Sequence, residues 1–379
     1  MTDPASEVTA LTRDLVQMDS RSRLSNIAIA ERIEAELTGF TVERIDFTDP
    51  TGTAKRVLVA QRGGPNGDGR GGDGKGGLAF SGHLDTVPDT GWQDDPWSGR
   101  IDVDGVLHGL GSTDMKGPLA AAVIAARSLP PAVPISLLIT TDEETTKQGA
   151  QEIVARSALV RQAAPRGILV VEPTGMAPVR GHRSHIVYTA VATGVQAHSS
   201  TGRGRNANWS LLPFLMEMRA LFQRLRDDPA LQDAAYDPPF SDFNLVIDNH
   251  GAAVNVTVPK ATATIKYRYS ASVDPAPISA AVREAAARAG VTLTEATEGR
   301  PPELPADHPL VRLCEAEAGR SAGTVPFGTD ASVLQAIAPC VVMGPGNIVE
   351  AHTPTEKLRL ADLVAAIPVF RRLAERLAG

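Results

Sequence analysis

Short apolar runs alternate along the chain with stretches whose apolar residues recur at helical spacing. The apolar runs predict four buried strands, at residues 78–81, 135–140, 168–171 and 340–343. The helical spacing predicts four helices, at residues 117–129, 148–159, 309–318 and 360–377, the last with a kink expected at Pro368. Strands and helices in alternation favour an α/β fold, with a mixed, largely parallel sheet flanked by helices.

The middle of the chain has a different pattern. Residues 185–193 and 261–269 alternate polar and apolar side chains as half-exposed strands do, and 209–226 and 278–289 predict helices. This combination favours an α+β module inserted into the α/β domain. We place the insert at residues 181–298, with Pro178 and the pair Pro301-Pro302 near its edges. Residues 1–180 and 299–379 would then form one discontinuous domain.

Composition narrows the class of protein. The 379 residues, of which 42% are hydrophobic and 21% charged, are enough for two compact domains, and the apolar runs are too short to span a membrane. The polar N-terminal segment lacks the pattern of a signal peptide, and a net charge of −7 argues against nucleic acid as a partner. Two cysteines, Cys314 and Cys340, cannot make a disulfide framework, so we expect both reduced in a core. We therefore expect a soluble, cytoplasmic protein.

One segment, residues 63–77, is nearly all Gly, Asp, Asn, Arg and Lys, and predicts a mobile surface loop. Within it, residues 69–75 (GRGGDGK) have the spacing of a phosphate-binding loop up to its lysine. Gly76 stands where Ser or Thr should coordinate Mg²⁺, and a strand follows in place of the helix whose N-terminus would bind phosphate. We therefore do not expect nucleotide binding.

Histidine and carboxylate residues follow the predicted strands at the point where each strand ends. They are His83 and Asp85, the run 142–144 (DEE), Glu172 and His352, with Asp114 immediately before a predicted helix. The carboxyl ends of strands in an open α/β sheet meet at one crevice, so we expect these side chains to lie together. Several ionised carboxylates so placed would repel one another unless cations lay between them. The sequence therefore predicts a metal site.

The donor set indicates which metal and how many ions. Imidazole and carboxylate without thiolate suit Zn²⁺, with Co²⁺ or Mn²⁺ as substitutes. Five ligands (His83, Asp114, Glu144, Glu172 and His352) can hold two ions if one carboxylate bridges them. Paired ions about 3.5–4 Å apart lower the pKa of a shared water and polarise a carbonyl. The adjacent Glu143 could then accept a proton from the water and pass it to a leaving amine.

Several spaced segments resemble the signatures of the acetylornithine deacetylase / succinyl-diaminopimelate desuccinylase family, which belongs to the co-catalytic metallopeptidases. They are residues 81–88 (SGHLDTVP), 109–117 (GLGSTDMKG), 141–145 (TDEET), 172–174 (EPT), 194–199 (GVQAHS) and 343–346 (MGPG). The run 142–145 with Gly149-Ala150, and the ending 350–356 (EAHTPTE), are most similar to acetylornithine deacetylases. These segments cover nearly the whole chain in the same order.

The resemblance implies a role for each metal-site residue. His83 and Glu172 would hold one ion, Glu144 and His352 the other, and Asp114 would bridge both. Glu143 would be the general base, and Asp85 would fix the tautomer of His83 from behind. The resemblance also implies a cis peptide bond between Asp114 and Met115.

Further residues resemble those that bind substrate in the family. His198 would reach the neighbouring subunit's site in a dimer and stabilise the oxyanion. The positions that would bind the substrate's carboxylate are Arg183, Asn255, Arg268, Gly328 and Thr329. For His198 the alternative is a hydrogen-bonded histidine in a turn, and for Arg183 and Arg268 it is a solvated or ion-paired surface arginine.

We therefore expect a zinc-dependent amidohydrolase that acts on an N-acyl-amino acid, with N-acetylornithine as the leading substrate and arginine biosynthesis as the pathway. The insert would be a ferredoxin-like lid and dimerisation domain of a homodimer. Alternatives are a succinyl-diaminopimelate desuccinylase, a citrulline-type deacetylase, or a carboxypeptidase or dipeptidase of the family. Two runs in the insert, 255–259 (NVTVP) and 266–268 (KYR), depart from the usual deacetylase pattern. A non-catalytic binding relative would have lost a ligand or Glu143, and this chain retains them all.

Overall fold

A computed structural model describes residues 3–63 and 76–378. Most of the predicted loop at 63–77, with its phosphate-loop-like run, lies outside these residues. The chain divides into two compact units. The first unit comprises Met1–Gly181, Pro302–Gly323 and Thr329–Gly379, and the second His182–Pro301 and Thr324–Gly328.

The helices are α1 (Pro4–Val16), α2 (Ile27–Glu34), α3 (Gly117–Ser128), α4 (Gln148–Arg156), α5 (Ala158–Ala163), α6 (Ala207–Asp227), α7 (Ala276–Ala289), α8 (Pro309–Ala318), α9 (Ala331–Leu334) and α10 (Leu360–Ala378). The strands are β1 (Thr41–Thr48), β2 (Ala54–Arg62), β3 (Leu78–His83), β4 (Arg100–Ile101), β5 (Val106–His108), β6 (Ile135–Thr140), β7 (Gly167–Pro173), β8 (Val179–His182), β9 (Ser184–Thr193), β10 (Asp242–Asp248), β11 (Lys260–Tyr269), β12 (Thr292–Thr297), β13 (Gly323–Val325), β14 (Cys340–Gly344) and β15 (Lys357–Arg359).

The first unit is built on a mixed sheet in which β1, β2, β6, β3, β7, β14 and β8 lie in that order. The central strands β6, β3, β7 and β14 are parallel, and β1, β2 and β8 add antiparallel pairings on either side. The four central strands are buried along their whole length, as their continuous apolar sequences require. The predicted α/β fold with a mixed, largely parallel sheet is confirmed.

Helix α3 lies at the centre of this unit. Its first ten residues are all buried, and it packs against α1, α10 and the sheet. An alanine-rich helix that is apolar all round can be buried all round, because small side chains let neighbouring elements approach closely. The end of α3 next to the sheet carries the turn that holds Asp114, so this packing fixes where that residue lies.

One predicted helix differs from the observed structure. The helix expected over 148–159 is divided at Ser157, whose backbone is extended and whose hydroxyl accepts the N–H of Val160 at 3.0 Å, so that a second helix begins. The closing helix α10 continues through Pro368 as one helix. Both cysteines are free and buried, as predicted.

The second unit has the order β9-α6-β10-β11-α7-β12 and an antiparallel sheet in which β10, β11, β9 and β12 are neighbours. This is the ferredoxin-like arrangement. Along β9 and β11 alternate residues are buried, and the buried set, including Tyr188 and Tyr267, packs in one core with Phe214 of α6 and Val282 of α7. No helix within the described parts of the chain is both long and apolar enough to cross a membrane.

Candidate metal centre and substrate-binding residues

The ends of the central strands of the first unit bring the predicted metal ligands together. His83 ends β3, and Glu172 lies near the end of the neighbouring parallel strand β7. Asp114 lies in an irregular turn, Ser112–Lys116, that leads directly into α3, and the peptide bond from Asp114 to Met115 is cis as the resemblance implied. The turn begins after Gly111, whose φ of +79° favours glycine. A Cβ atom added at this position would lie 2.6 Å from Thr86 Cγ2, so a larger residue is excluded.

One group of ligand atoms surrounds His83. Its Nε2 atom lies 3.1 Å from Asp114 Oδ1 and 3.9 Å from Glu172 Oε1. All three residues are buried, and their ligand atoms are close enough together to share one metal ion.

A second group surrounds His352, which lies in the loop after β14 with a left-handed backbone (φ 58°). Its Nε2 atom lies 2.9 Å from Glu144 Oε1 and 3.4 Å from Asp114 Oδ2. Asp114 therefore belongs to both groups, with one carboxylate oxygen turned to each. This is the geometry expected of a bridging carboxylate between two ions.

The protonation of these residues tests whether cations fit the site. Burial, together with the charge of Asp114, raises the pKa of Glu144 to about 8 and the pKa of Glu172 well above its ordinary value. Hydrogen bonds to Asp114 and Glu144 raise the pKa of His352 to about 11. Burial opposes ionisation of Asp114, yet hydrogen bonds from His352 and His83 hold its pKa below the ordinary value. Bound protons therefore offset the repulsion among these carboxylates, a role that divalent cations would fill. The residues present fit a pair of metal ions.

Asp85 is buried behind His83 and makes more contacts than the sequence predicted. The His83 Nδ1 atom lies 2.9 Å from the backbone carbonyl of Asp85 and 3.5 Å from its carboxylate, which leaves Nε2 directed at the ligand group. The same carboxylate accepts the hydroxyl of Ser22 at 2.7 Å and the backbone N–H groups of Glu143 and Glu144 at 3.2 and 3.3 Å. Asp85 therefore orients the residues that follow β6 as well as His83.

Glu143 belongs to neither ligand group, and its carboxylate is paired with a lysine that sequence reasoning did not identify. Lys147 Nζ donates to Glu143 Oε1 at 2.7 Å, and both side chains are almost fully buried. The i,i+4 spacing was the only signal for this pair in the sequence, and that spacing also describes many exposed ion pairs.

Glu356 is a second residue that sequence reasoning did not assign. Its buried carboxylate accepts the backbone N–H groups of Gly111, Thr113 and Asp114 at 3.0, 2.8 and 2.9 Å. These bonds hold the turn that presents Asp114. Burial and the charge of Asp114 raise the pKa of Glu356 to about 7.

In the second unit, Arg183 and Arg268 line one cavity of 680 Å³, together with Arg226 and aromatic residues that include Phe240. Arg183 is buried, its Nη2 donates to the carbonyl of Pro238 at 2.5 Å, and its Nε has no hydrogen-bond partner among the described residues. Burial lowers the pKa of Arg183. A buried guanidinium group with a spare donor beside a cavity is suited to binding an anion.

The other predicted substrate residues have different surroundings. His198 is exposed, and its Nδ1 accepts the N–H of Ser200 at 3.3 Å, so in the neutral ring the proton is on Nε2. Asn255 lies beside it, since its carbonyl accepts the N–H of Ser199 at 3.0 Å. Gly328 is half-buried at the end of the second unit, whereas Thr329 is buried in the first unit, where its hydroxyl accepts the N–H of Ala331 at the start of α9.

Comparison with known proteins matches the chain to one protein family. The model of peptidase family M20/M25/M40 matches residues 79–376. An acetylornithine deacetylase from Myxococcus xanthus is 31% identical over 100% of both chains. Among solved structures, a tripeptidase from Staphylococcus aureus superposes with a TM-score of 0.73 at 18% identity, covering 99% of this chain and 98% of the other. A dinuclear metal binding peptidase from Bacillus subtilis gives a TM-score of 0.64 at 15% identity, covering 99% and 98%.

Proposed function

Because the chain belongs to peptidase family M20/M25/M40, we propose that it is a zinc-dependent hydrolase that cleaves the amide bond of an N-acyl-amino acid. The family resemblance predicted from the sequence motifs is confirmed by these matches. The observation that carries the proposal is the arrangement of Asp114, whose two carboxylate oxygens each face a separate group of ligands, with Glu143 following the same strand as Glu144.

In this proposal His83, Asp114 and Glu172 hold one ion, and Asp114, Glu144 and His352 hold the other. Zinc ions bound there would act as Lewis acids on the amide carbonyl and on a water molecule. Asp85 keeps Nε2 of His83 directed at the first ion, because the other ring nitrogen is taken by its backbone and side chain.

We assign proton transfer to Glu143. Its carboxylate is buried beside the ligand groups without belonging to either, so it is available to accept a proton from the attacking water and deliver it to the leaving amine. Lys147 occupies its Oε1, and we therefore place the proton transfer at Oε2.

We further propose that the second unit binds the substrate's carboxylate through Arg183 and Arg268. The roles that the resemblance implies for Asn255, Gly328 and Thr329 stay predictions. The shared cavity and the spare donor of Arg183 support this role for the two arginines. In a dimer, the partner's His198 would donate its Nε2 proton to the oxyanion, a role that the hydrogen bond to its Nδ1 supports.

A homodimer is supported by the surface of the second unit. Strand β10 lies at the edge of its sheet, and the consecutive residues Leu245, Val246 and Ile247 are exposed there. Trp209 and Met216 of α6 are exposed as well. An unprotected apolar edge strand is a template for pairing with a second chain. We propose that a second copy of this chain pairs there, which makes this unit the dimerisation unit.

N-acetylornithine is the substrate we propose first, with ornithine and acetate as products, because curated relatives that are 31% and 32% identical are named acetylornithine deacetylases. That activity would place the enzyme in arginine biosynthesis in the cytoplasm. Departures in the insert at Lys266 and at residues 255–259 keep other N-acyl-amino acids and dipeptides as the competing class. Release of amine from a panel of N-acetyl and N-succinyl amino acids and dipeptides decides between them.

Metal removal tests the reaction itself. Protein stripped with a chelator should lose amide hydrolysis and regain it with Zn²⁺ or Co²⁺. Glu143→Ala should lower kcat by about 10²–10⁴-fold, the usual contribution of a general base. Glu152→Ala removes a partly exposed carboxylate paired with Arg156 on α4 and is the matched control. Activity of Glu143→Ala equal to that of the control would refute the proposed mechanism.

A further inference from the structure

The loop between β6 and α4 brings Lys147 back to Glu143. Two of its residues, Asp142 and Lys147, have left-handed backbones with φ of 61° and 55°. The carbonyl of Asp142 accepts the N–H groups of Thr146 and Lys147 at 3.0 and 2.7 Å. The loop therefore closes on itself, and Lys147 at its end lies against Glu143.

The resulting ion pair differs from ordinary pairs at this spacing. The side chains of Lys147 and Glu143 are only 6% and 9% exposed, whereas those of Arg156 and Glu152, at the same i,i+4 spacing on α4, are 50% and 21% exposed. Burying an ammonium group and giving a non-glycine residue a positive φ both oppose stability. A role in folding alone therefore does not explain a lysine at this position.

A second buried carboxylate lies near the same ammonium group. Asp330 accepts the hydroxyl of Thr140 at 2.5 Å through Oδ2, and its Oδ1 has no partner among the described residues. Burial and the charge of Glu143 raise the pKa of Asp330 to about 7, while the charge of Lys147 opposes the rise. Lys147 thus supplies positive charge to two carboxylates that belong to neither ligand group, Glu143 and Asp330.

We propose that Lys147 is a positioning residue for the reaction: its ammonium group holds the Glu143 carboxylate in the orientation from which the proton is transferred. This inference rests on the proposed function, because it requires Glu143 to be the general base. Lys147 donates to Oε1 of the carboxylate at 2.7 Å, which restricts rotation of the Glu143 side chain, and we place the proton transfer at Oε2.

Three variants test the proposal in the zinc-loaded protein. Lys147→Met keeps the length of the side chain and removes its charge, and should lower kcat about 100-fold, as small misplacements of catalytic groups do, with KM changed less than about twofold. Lys147→Arg should recover most of kcat because it restores the ion pair. Arg156→Met removes the more exposed pair of the same spacing on α4 and should behave as wild type.

Zinc affinity and the unfolding midpoint, measured on the same variants, separate positioning from a structural role. Unchanged values in Lys147→Met, together with the loss of kcat, support the proposal. The proposal is overturned if Lys147→Met binds zinc weakly or unfolds early and the separate variant Lys147→Arg has a kcat as low as that of Lys147→Met.

A double variant shows whether Lys147 acts through Glu143. In a Glu143→Gln background, Lys147→Met should cause no further loss, since the carboxylate that it positions is gone. If Glu143→Ala is itself as active as wild type, the proposed function fails and this inference with it. If Glu143→Ala is inactive while Lys147→Met retains the wild-type kcat, only the role of Lys147 is refuted.

Discussion

Replacing Glu356 by glutamine should weaken zinc binding although Glu356 binds no metal. Its carboxylate accepts three backbone N–H groups of the turn that presents Asp114, two through Oε1 and one through Oε2. The turn and the acceptor are more than two hundred residues apart in sequence, so no local interaction substitutes for these bonds. Glutamine has the same shape but only one acceptor oxygen.

The size of the effect follows from counting what Glu356→Gln removes. The amide oxygen can keep the bonds from Thr113 and Asp114, but each changes from a charge-assisted to a neutral bond, a loss of about 1 kcal/mol. The N–H of Gly111 would face an NH₂ group and remain unpaired, which costs about 1–3 kcal/mol. The neutral glutamine also avoids the cost of burying a charge, which offsets part of this free-energy loss. That cost is visible in Glu356, whose pKa burial raises to about 7. We expect a net loss of about 2 kcal/mol, or roughly 30-fold in an equilibrium constant.

Zinc affinity, measured by competition with a chelating dye, and urea unfolding of the zinc-loaded protein provide the assay. Glu356→Gln should bind zinc about 30-fold more weakly and unfold at lower urea. Glu350→Gln changes a carboxylate in the same loop that is only partly buried and should match wild type. If Glu356→Gln binds zinc and unfolds as Glu350→Gln does, the three hydrogen bonds do not hold the turn, and the reasoning is refuted.

Further predictions concern other parts of the chain. Arg268→Met should raise KM about 10–100-fold with kcat little changed, because a charge-assisted bond to the substrate carboxylate is lost; an unchanged KM in steady-state assays would remove it from the site. Ile247→Lys should convert a dimer to a monomer in light scattering, while Val103→Lys, at an exposed position in the other unit, should not; equal masses would exclude the β10 edge as the interface. Burial raises the pKa of Cys314 to about 12 and that of Cys340 as well, so neither thiol should react with a disulfide reagent near neutral pH until urea unfolds the protein; rapid labelling of the native protein would contradict this burial.

The sequence predicted that the proposed metal ligands lie together, because each is tied to a local pattern. His83 and Glu172 end buried apolar strands, and parallel strands deliver their ends to one edge of a sheet whatever their separation along the chain. Glu144 follows a third such strand. The outer antiparallel strands β1 and β2 were not predicted, and neither was the break at Ser157, which depends on the hydrogen bond of a single hydroxyl.

Lys147 and Glu356 could not be assigned in the same way. The contact of Lys147 with Glu143 depends on left-handed backbones at Asp142 and Lys147. Aspartate is enriched in that conformation but lysine is not, so the sequence did not indicate the turn. Glu356 acts on a turn that only the folded sheet brings near it. Glu356 lies within the motif 350–356, and Lys147 lies between the motif 142–145 and Gly149-Ala150. The motifs alone gave neither residue a role.

The structure also adds two carboxylates to the residues that shape the proposed metal site. Asp85 accepts the backbone N–H groups of Glu143 and Glu144, and Glu356 accepts those of the turn around Asp114. These two buried carboxylates belong to neither ligand group. Asp85 determines where Glu144 lies, in the loop after β6, and Glu356 determines where the proposed bridging residue Asp114 lies. A relative that kept all five ligands but lost either carboxylate would leave buried N–H groups unpaired beside the site, and its ligands would relax away from a two-ion geometry. We therefore expect Asp85 and Glu356, as well as the five proposed ligands, to determine whether this chain binds two ions.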